Sequence, residues 1–106
     1  NIENIDSWLE ANRHKQIVGY GCGGRGVMTL AELKNYSHIE FVVDKNPKAK
    51  NIYLPKTHLP VREVTALKEN KVDFIIIFSY GYFDEIIEEL IPYGYRRDQF
   101  LSLLEF

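Results

Sequence analysis

The stretch from Gly19 to Gly26 limits what this chain can fold into more than any other. Gln16-Ile17-Val18-Gly19-Tyr20 reads as a short strand that runs straight into Gly21-Cys22-Gly23-Gly24-Arg25-Gly26. The pattern GxGxxG fits here twice, from Gly19 to Gly24 and again from Gly21 to Gly26. Glycines permit a tight turn and let a pyrophosphate approach the backbone, and a helix behind them offers free N–H groups and the positive end of its dipole. Val27, Leu30, Ala31 and Leu33 mark one face of such a helix, ending near Asn35. The same glycines could equally make a strand-to-helix turn that holds nothing. What favours binding is Asp44, about twenty residues further on at the end of a second strand, where an acid can accept hydrogen bonds from ribose or sugar hydroxyls. Its plain alternative is a solvated loop residue or a cap to the turn at Asn46-Pro47.

The remaining periodicities complete an alternation of strands and helices. Ile2, Ile5, Trp8 and Leu9 recur at helical spacing, so residues 2–13 read as a leading amphipathic helix before an α/β core over 16–106. Ile39 to Val43 is the second strand, and residues 45–60 form a long irregular segment with three of the four prolines. His58 to Val61 adds a few extended residues, and Val64 to Asn70 a short helix. Val72 to Phe78 is a nearly continuous apolar run, which implies a strand buried on both faces. Phe83, Ile86, Ile87, Leu90 and Ile91 mark a helix stopped at Pro92 and Gly94, and Gln99 to Leu104 a last strand. This order implies an α/β fold: a small Rossmann-like parallel sheet with helices on both faces. Sites in such sheets lie at the C-terminal ends of the strands, near the point where strand order reverses. That rule selects the glycine loop, Asp44, the Ser79–Tyr82 connection and the far C-terminus.

Composition removes several function classes. A chain of 106 residues is one domain. Thirteen basic residues against fifteen acidic ones argue against a general nucleic-acid partner. The longest apolar run, Phe74 to Phe78, is far short of the ~20 residues that span a bilayer, so no membrane partner is expected. One cysteine, Cys22, excludes an internal disulfide framework and a cysteine-rich zinc site, and a reduced, cytoplasmic setting is the simplest expectation. His14, His38 and His58 lack metal-ligand spacing, so no metal site is expected. Asp84, Glu85, Glu88 and Glu89 fall on a helix with an apolar opposite face and read as solvation. An S-adenosylmethionine site usually carries an acid two residues before the first glycine, where this chain has Ile17.

Lys45 to Val61 carries four lysines and no acid, a local positive field that suits an anionic ligand or merely solvates a long loop. The chain from Gln16 onwards resembles the C-terminal Rossmann-like domain of S-adenosylmethionine-dependent sugar C-methyltransferases, which act on nucleotide-linked deoxysugars. In that family a strand leads into GYGAxxKG, and a second strand ends in a stretch like DxNPxKxGxYLPGTHIPV. The matches here are Gly19-Tyr20-Gly21, Arg25-Gly26, Asp44, Asn46-Pro47, Lys50, Tyr53-Leu54-Pro55 and Thr57-His58-Leu59-Pro60-Val61. Cys22 and Gly23 replace the usual small or proline-containing pair, Arg25 replaces lysine, and Lys56 stands where glycine is common.

The resemblance implies a parent enzyme of three parts: an N-terminal zinc-binding region, a central S-adenosylmethionine domain and this C-terminal domain. The nucleotide-sugar would lie between the last two. This chain would then be an excised domain, inactive alone, without catalytic residues and binding no cofactor itself. Its expected partners are the nucleotide-sugar and the central domain of the same chain. Gly21, Gly23 and Arg25 would face the phosphates, with Cys22 a small residue of the same substrate-binding loop, and Asp44, Lys48, Tyr53, His58 and Tyr80 would line the remainder. His58 is as readily a structural hydrogen-bonding residue, and Tyr80 could stack on a base or pack against a neighbouring domain. Two other classes remain: a stand-alone regulatory module binding NAD or coenzyme A, and a structural cap that binds nothing.

Overall fold

Three short apolar strands lie side by side at the centre of the computed structural model, which describes residues 2–21, 25–45, 52–54, 56–79 and 81–106. Strand β1 (Ile17–Tyr20) pairs in parallel with β2 (Ile39–Asp44) on one side and β5 (Phe74–Ile77) on the other. Beyond β2 lies β4 (Pro60–Glu63), then the edge strand β3 (Ile52–Tyr53), and beyond β5 lies β6 (Phe100–Ser102). The sheet order is therefore β3-β4-β2-β1-β5-β6. After β1 the chain moves outward through β2 to β4 and then crosses back to add β5 and β6 on the other side. The order thus reverses between β1 and β5.

Helices cover both faces because strand residues alternate between them. Ile17, Ile39, Val42, Val61, Ile76 and Phe78 face α1 (Ile2–Ala11) and α2 (Arg25–Glu32), burying Ile5, Leu9, Leu30 and Leu33. Val18, Tyr20, Val43, Ile75, Ile77 and Phe100 face α3 (Ala66–Glu69) and α4 (Phe83–Leu90), burying Leu67, Ile86, Ile87 and Leu90. Residues 75 to 78 are at most 1% exposed, as the unbroken apolar run required. Helix α1 is part of this core. Its Asp6 carboxylate accepts hydrogen bonds from the backbone N–H groups of Lys34 and Asn35 at 3.1 and 2.9 Å, and Trp8 meets Phe74 and Phe106 edge-on.

Several boundaries differ from the sequence expectation. Helix α1 stops at Ala11, where the Asn12 side chain and backbone N–H both bond back to the Trp8 carbonyl. Helix α2 starts earlier, at Arg25, and α3 shrinks to four residues. The last strand ends at Ser102 and passes into a 3-10 turn over 103–105. The segment over 45–60 is not wholly irregular. Ile52–Tyr53 pairs antiparallel with β4, and Leu54 N–H bonds to the Leu59 carbonyl at 2.8 Å. So short a connection can only join antiparallel neighbours, and the otherwise parallel sheet therefore gains one antiparallel edge. Leu54, Thr57 and Leu59 are buried in this hairpin, while Lys56 and His58 adopt left-handed backbone conformations, with φ of 69° and 60°.

Candidate functional site

The C-terminal ends of the parallel strands bring Gly21, Asp44, Glu63 and Ser79 to one edge of the molecule. Gly21 leaves β1 with φ +95°, and its N–H bonds to the Val43 carbonyl at 2.8 Å. A β-carbon at Gly21 would collide with the Ser79 hydroxyl. Gly26, in the first turn of α2, lies so close to the sheet that a β-carbon there would sit 3.1 Å from Phe78 Cβ and 3.2 Å from the Gly21 carbonyl oxygen. Gly19 lies inside β1, paired with Val42 and Ile76, where a β-carbon would come within 3.0 Å of the Phe78 ring, but it makes no turn. These positions choose between the two overlapping matches: Gly21 makes the tight turn and Gly26 the close helix–strand contact, the first and third roles of a phosphate-binding fingerprint. Gly23, the middle glycine of that register, lies outside the described residues, as do Cys22, Lys48 and Tyr80.

A cavity of about 320 Å³ opens between the end of β2 and the β5–α4 connection, lined by Tyr20, Gly21, Asp44, Lys45, Ser79, Tyr82, Glu85 and Ile86. That volume falls in the range of small-molecule sites. A second, of about 310 Å³, shares Asp44 and Lys45 and continues past Glu63, Thr65, Glu89 and Tyr93. A third, of about 220 Å³, lies across β5 and reaches Ser102 near the C-terminus.

The wall between the first two cavities is a linked set of side chains. Tyr20 hydroxyl donates to Glu89 Oε1 at 2.8 Å, and Lys45 Nζ pairs with the other oxygen of the same carboxylate. Burial pushes the Tyr20 phenol far above the ordinary tyrosine range, and its bond to Glu89 adds to the shift. Tyr20 is therefore a permanent donor. The sequence names none of Tyr20, Lys45, Ser79, Tyr82 and Glu89 individually as a lining residue, although Tyr20 falls in the selected glycine loop and Lys45 in the lysine-rich stretch that suits an anionic ligand. Ser79 and Tyr82 lay within a stretch that the sheet rule did select, but Lys45–Glu89 spans 44 residues and has no local signature.

Of the expected site residues that are described, Gly21 and Asp44 come together, and Arg25 opens α2 beside them. Tyr53 and His58 do not join them. Both are exposed on the hairpin at the start of β4, a strand length of roughly 10 Å from the edge that carries Glu63. The Tyr-Leu-Pro…Thr-His…Pro-Val stretch thus builds a hairpin, whose inward residues are core. Among the described residues no three His, Cys, Asp or Glu side chains gather as metal ligands. The position two residues before the first glycine is Ile17 in one register and Gly19 in the other, both inside β1, so the strand offers S-adenosylmethionine no carboxylate there. Among the described residues the edge brings together a glycine turn, a helix start, several carboxylates, Lys45 and Ser79, groups of the kind that hold polar ligands. Among the described residues no helix is long and apolar enough to cross a membrane.

A family model described as C-methyltransferase C-terminal domain matches residues 5–104. Among solved structures, the chain is similar to RSP in complex with β-NAD⁺ and operator DNA, with a TM-score of 0.62 and 15% identity over 94% of this chain and 54% of that one. It is also similar to RSP described as a Rex-family repressor, with a TM-score of 0.58 and 16% identity over 94% of this chain and 56% of that one. At such identities the likeness shows a shared α/β fold. The chain spans little more than half the length of these structures. No curated protein matches the sequence.

Proposed function

This chain belongs to the family of C-methyltransferase C-terminal domains, and on that premise we propose that it is the nucleotide-sugar-binding module of an S-adenosylmethionine-dependent C-methyltransferase. The supporting observation is the meeting of Gly21, Asp44 and Ser79 at one cavity beside the reversal of strand order. The pyrophosphate lies against the Gly21–Gly26 turn and the start of α2, with Arg25 as a bidentate partner. Asp44 accepts from a ribose or sugar hydroxyl, and Cys22, Gly23, Lys48 and Tyr80 complete the lining. Tyr53 and His58 are not in this set, because the hairpin holds them at the far end of β4. Another domain of a longer, cytoplasmic parent supplies the methyl donor and the catalytic groups, and a third region holds zinc.

The same turn register with an acid at the end of β2 also suits a dinucleotide, so a regulatory module that binds NAD is the second reading. Calorimetric titration with dTDP, a dTDP-sugar, NAD and S-adenosylmethionine at one fixed salt separates them, run on this domain and on the longest natural polypeptide that carries it. Binding of dTDP or its sugar is the expected result. Binding of NAD alone would replace the first reading with the second, and silence from dTDP and its sugar in the longer polypeptide would end the first.

A further inference from the structure

Among the described residues that line the three cavities at the sheet edge, Lys45 is the one with a positive charge, against Asp44, Glu63, Asp84, Glu85 and Glu89. A ligand carrying phosphates meets a largely acidic set of described residues there, so what this lysine does bears on its affinity. Lys45 borders both larger cavities, and its head is tied to Glu89. We infer that Lys45 adds a phosphate contact of its own at this edge, beside the one proposed for Arg25, and that Glu89 tunes the site's affinity by competing for it. The inference rests on the proposal that the site takes a nucleoside diphosphate group.

Three features make the exchange physically easy. The Lys45 side chain is 67% exposed, so its pair with Glu89 is screened by water and weak. A phosphate offers more acceptor oxygens and more charge than a carboxylate, and bonds between ionised partners are the stronger kind. Departure of Lys45 also leaves no orphan behind, because Tyr20 hydroxyl holds the Glu89 carboxylate through its other oxygen. Tyr20 is anchored in β1 and only 4% exposed, so Glu89 keeps its place whichever partner Lys45 takes.

The test uses the longest natural polypeptide containing this chain and two probes, inorganic pyrophosphate and dTDP, titrated by calorimetry at low and at physiological salt. Lys45→Ala should weaken both probes about tenfold, the size of a lost charge-assisted bond at a partly exposed site. Glu89→Gln should strengthen both by about two- to fivefold, since the screened pair it dissolves is weak, while the amide oxygen still accepts from Tyr20. Glu85→Gln removes the same charge from the wall of the adjoining cavity, which Lys45 also lines, without freeing Lys45, so its gain should be smaller. In a Lys45→Ala background, Glu89→Gln should gain no more than Glu85→Gln does.

Unchanged affinity in Lys45→Ala, with the unaltered protein binding dTDP, overturns the inference and leaves the nucleotide reading standing. A Glu89→Gln variant that gains no more than Glu85→Gln, or that binds more weakly, makes the Lys45–Glu89 pair a plain staple and overturns it as well. If the unaltered protein binds neither probe, the nucleotide reading itself fails and takes the inference with it.

Discussion

Gly21 carries two constraints at once, a left-handed backbone and a neighbouring hydroxyl in the space a side chain would need. Left-handed φ costs an ordinary residue roughly 1–2 kcal/mol, and forcing a methyl against Ser79 adds to it. Gly21→Ala should therefore destabilise the fold by about 2–3 kcal/mol, read from the midpoint of a urea titration. Lys56 presents the reverse case. It holds φ at 69° with a full side chain, in a conformation that glycine adopts at no steric cost. Lys56→Gly relieves that strain but gives the unfolded chain more freedom, and the balance should raise stability by about 0.5–1 kcal/mol in the same assay. A loss of stability on that substitution would mean that the lysine side chain makes a contact worth more than the strain.

The β3–β4 hairpin shows why a distinctive sequence signature need not mark a ligand site. Leu54, Leu59 and Val61 are at most 6% exposed, and the backbone bonds Leu54 to Leu59 and His58 to Leu54 close the connection between the strands. What this stretch specifies most visibly is the edge of the sheet. Helix α1 makes a similar point at the other end of the chain. It is tied to the end of α2 by Asp6, which receives two backbone N–H groups, and by the Asn35 amide, which donates to the Asp6 carbonyl at 2.9 Å. Asp6→Ala leaves those two N–H groups without their acceptor and should cost about 1–2 kcal/mol. In a domain of this size the thermal midpoint should fall by roughly 5–10 °C. A midpoint within a degree of the unaltered protein would show that α1 is held by its apolar face alone.

At the scale of the whole molecule, function follows from strand order. Because β2 and β4 lie to one side of β1, and β5 and β6 to the other, the connections that leave β1 and β5 diverge onto opposite faces and open a crevice between them. The glycine turn, Asp44 and Ser79 meet there although they come from three separate parts of the chain. The two apolar faces on either side keep that crevice in place, since the central strands β1, β2 and β5 send buried side chains into both of them. The same topology sends the hairpin tip to the opposite end of the sheet, which separates His58 from the glycine turn at Gly21.

The sequence alone determined the features that depend on neighbours along the chain. These are the strand–glycine–helix order around Gly21, the fully buried run at Ile75 to Phe78, the alternation that makes an α/β sheet, and Asp44 at the end of its strand. Each is written in periodicity or local turn chemistry, which act over a few residues. Tertiary structure alone decided which GxGxxG register is used, because only the fold shows that Gly19 stays paired inside β1 while Gly21 makes the turn and Gly26 packs on Phe78. It alone also placed His58 away from the edge and joined Tyr20 to Glu89 across 69 residues and to Lys45 through it. Pairings of that length depend on strand order and on which face each side chain takes. No local pattern encodes them.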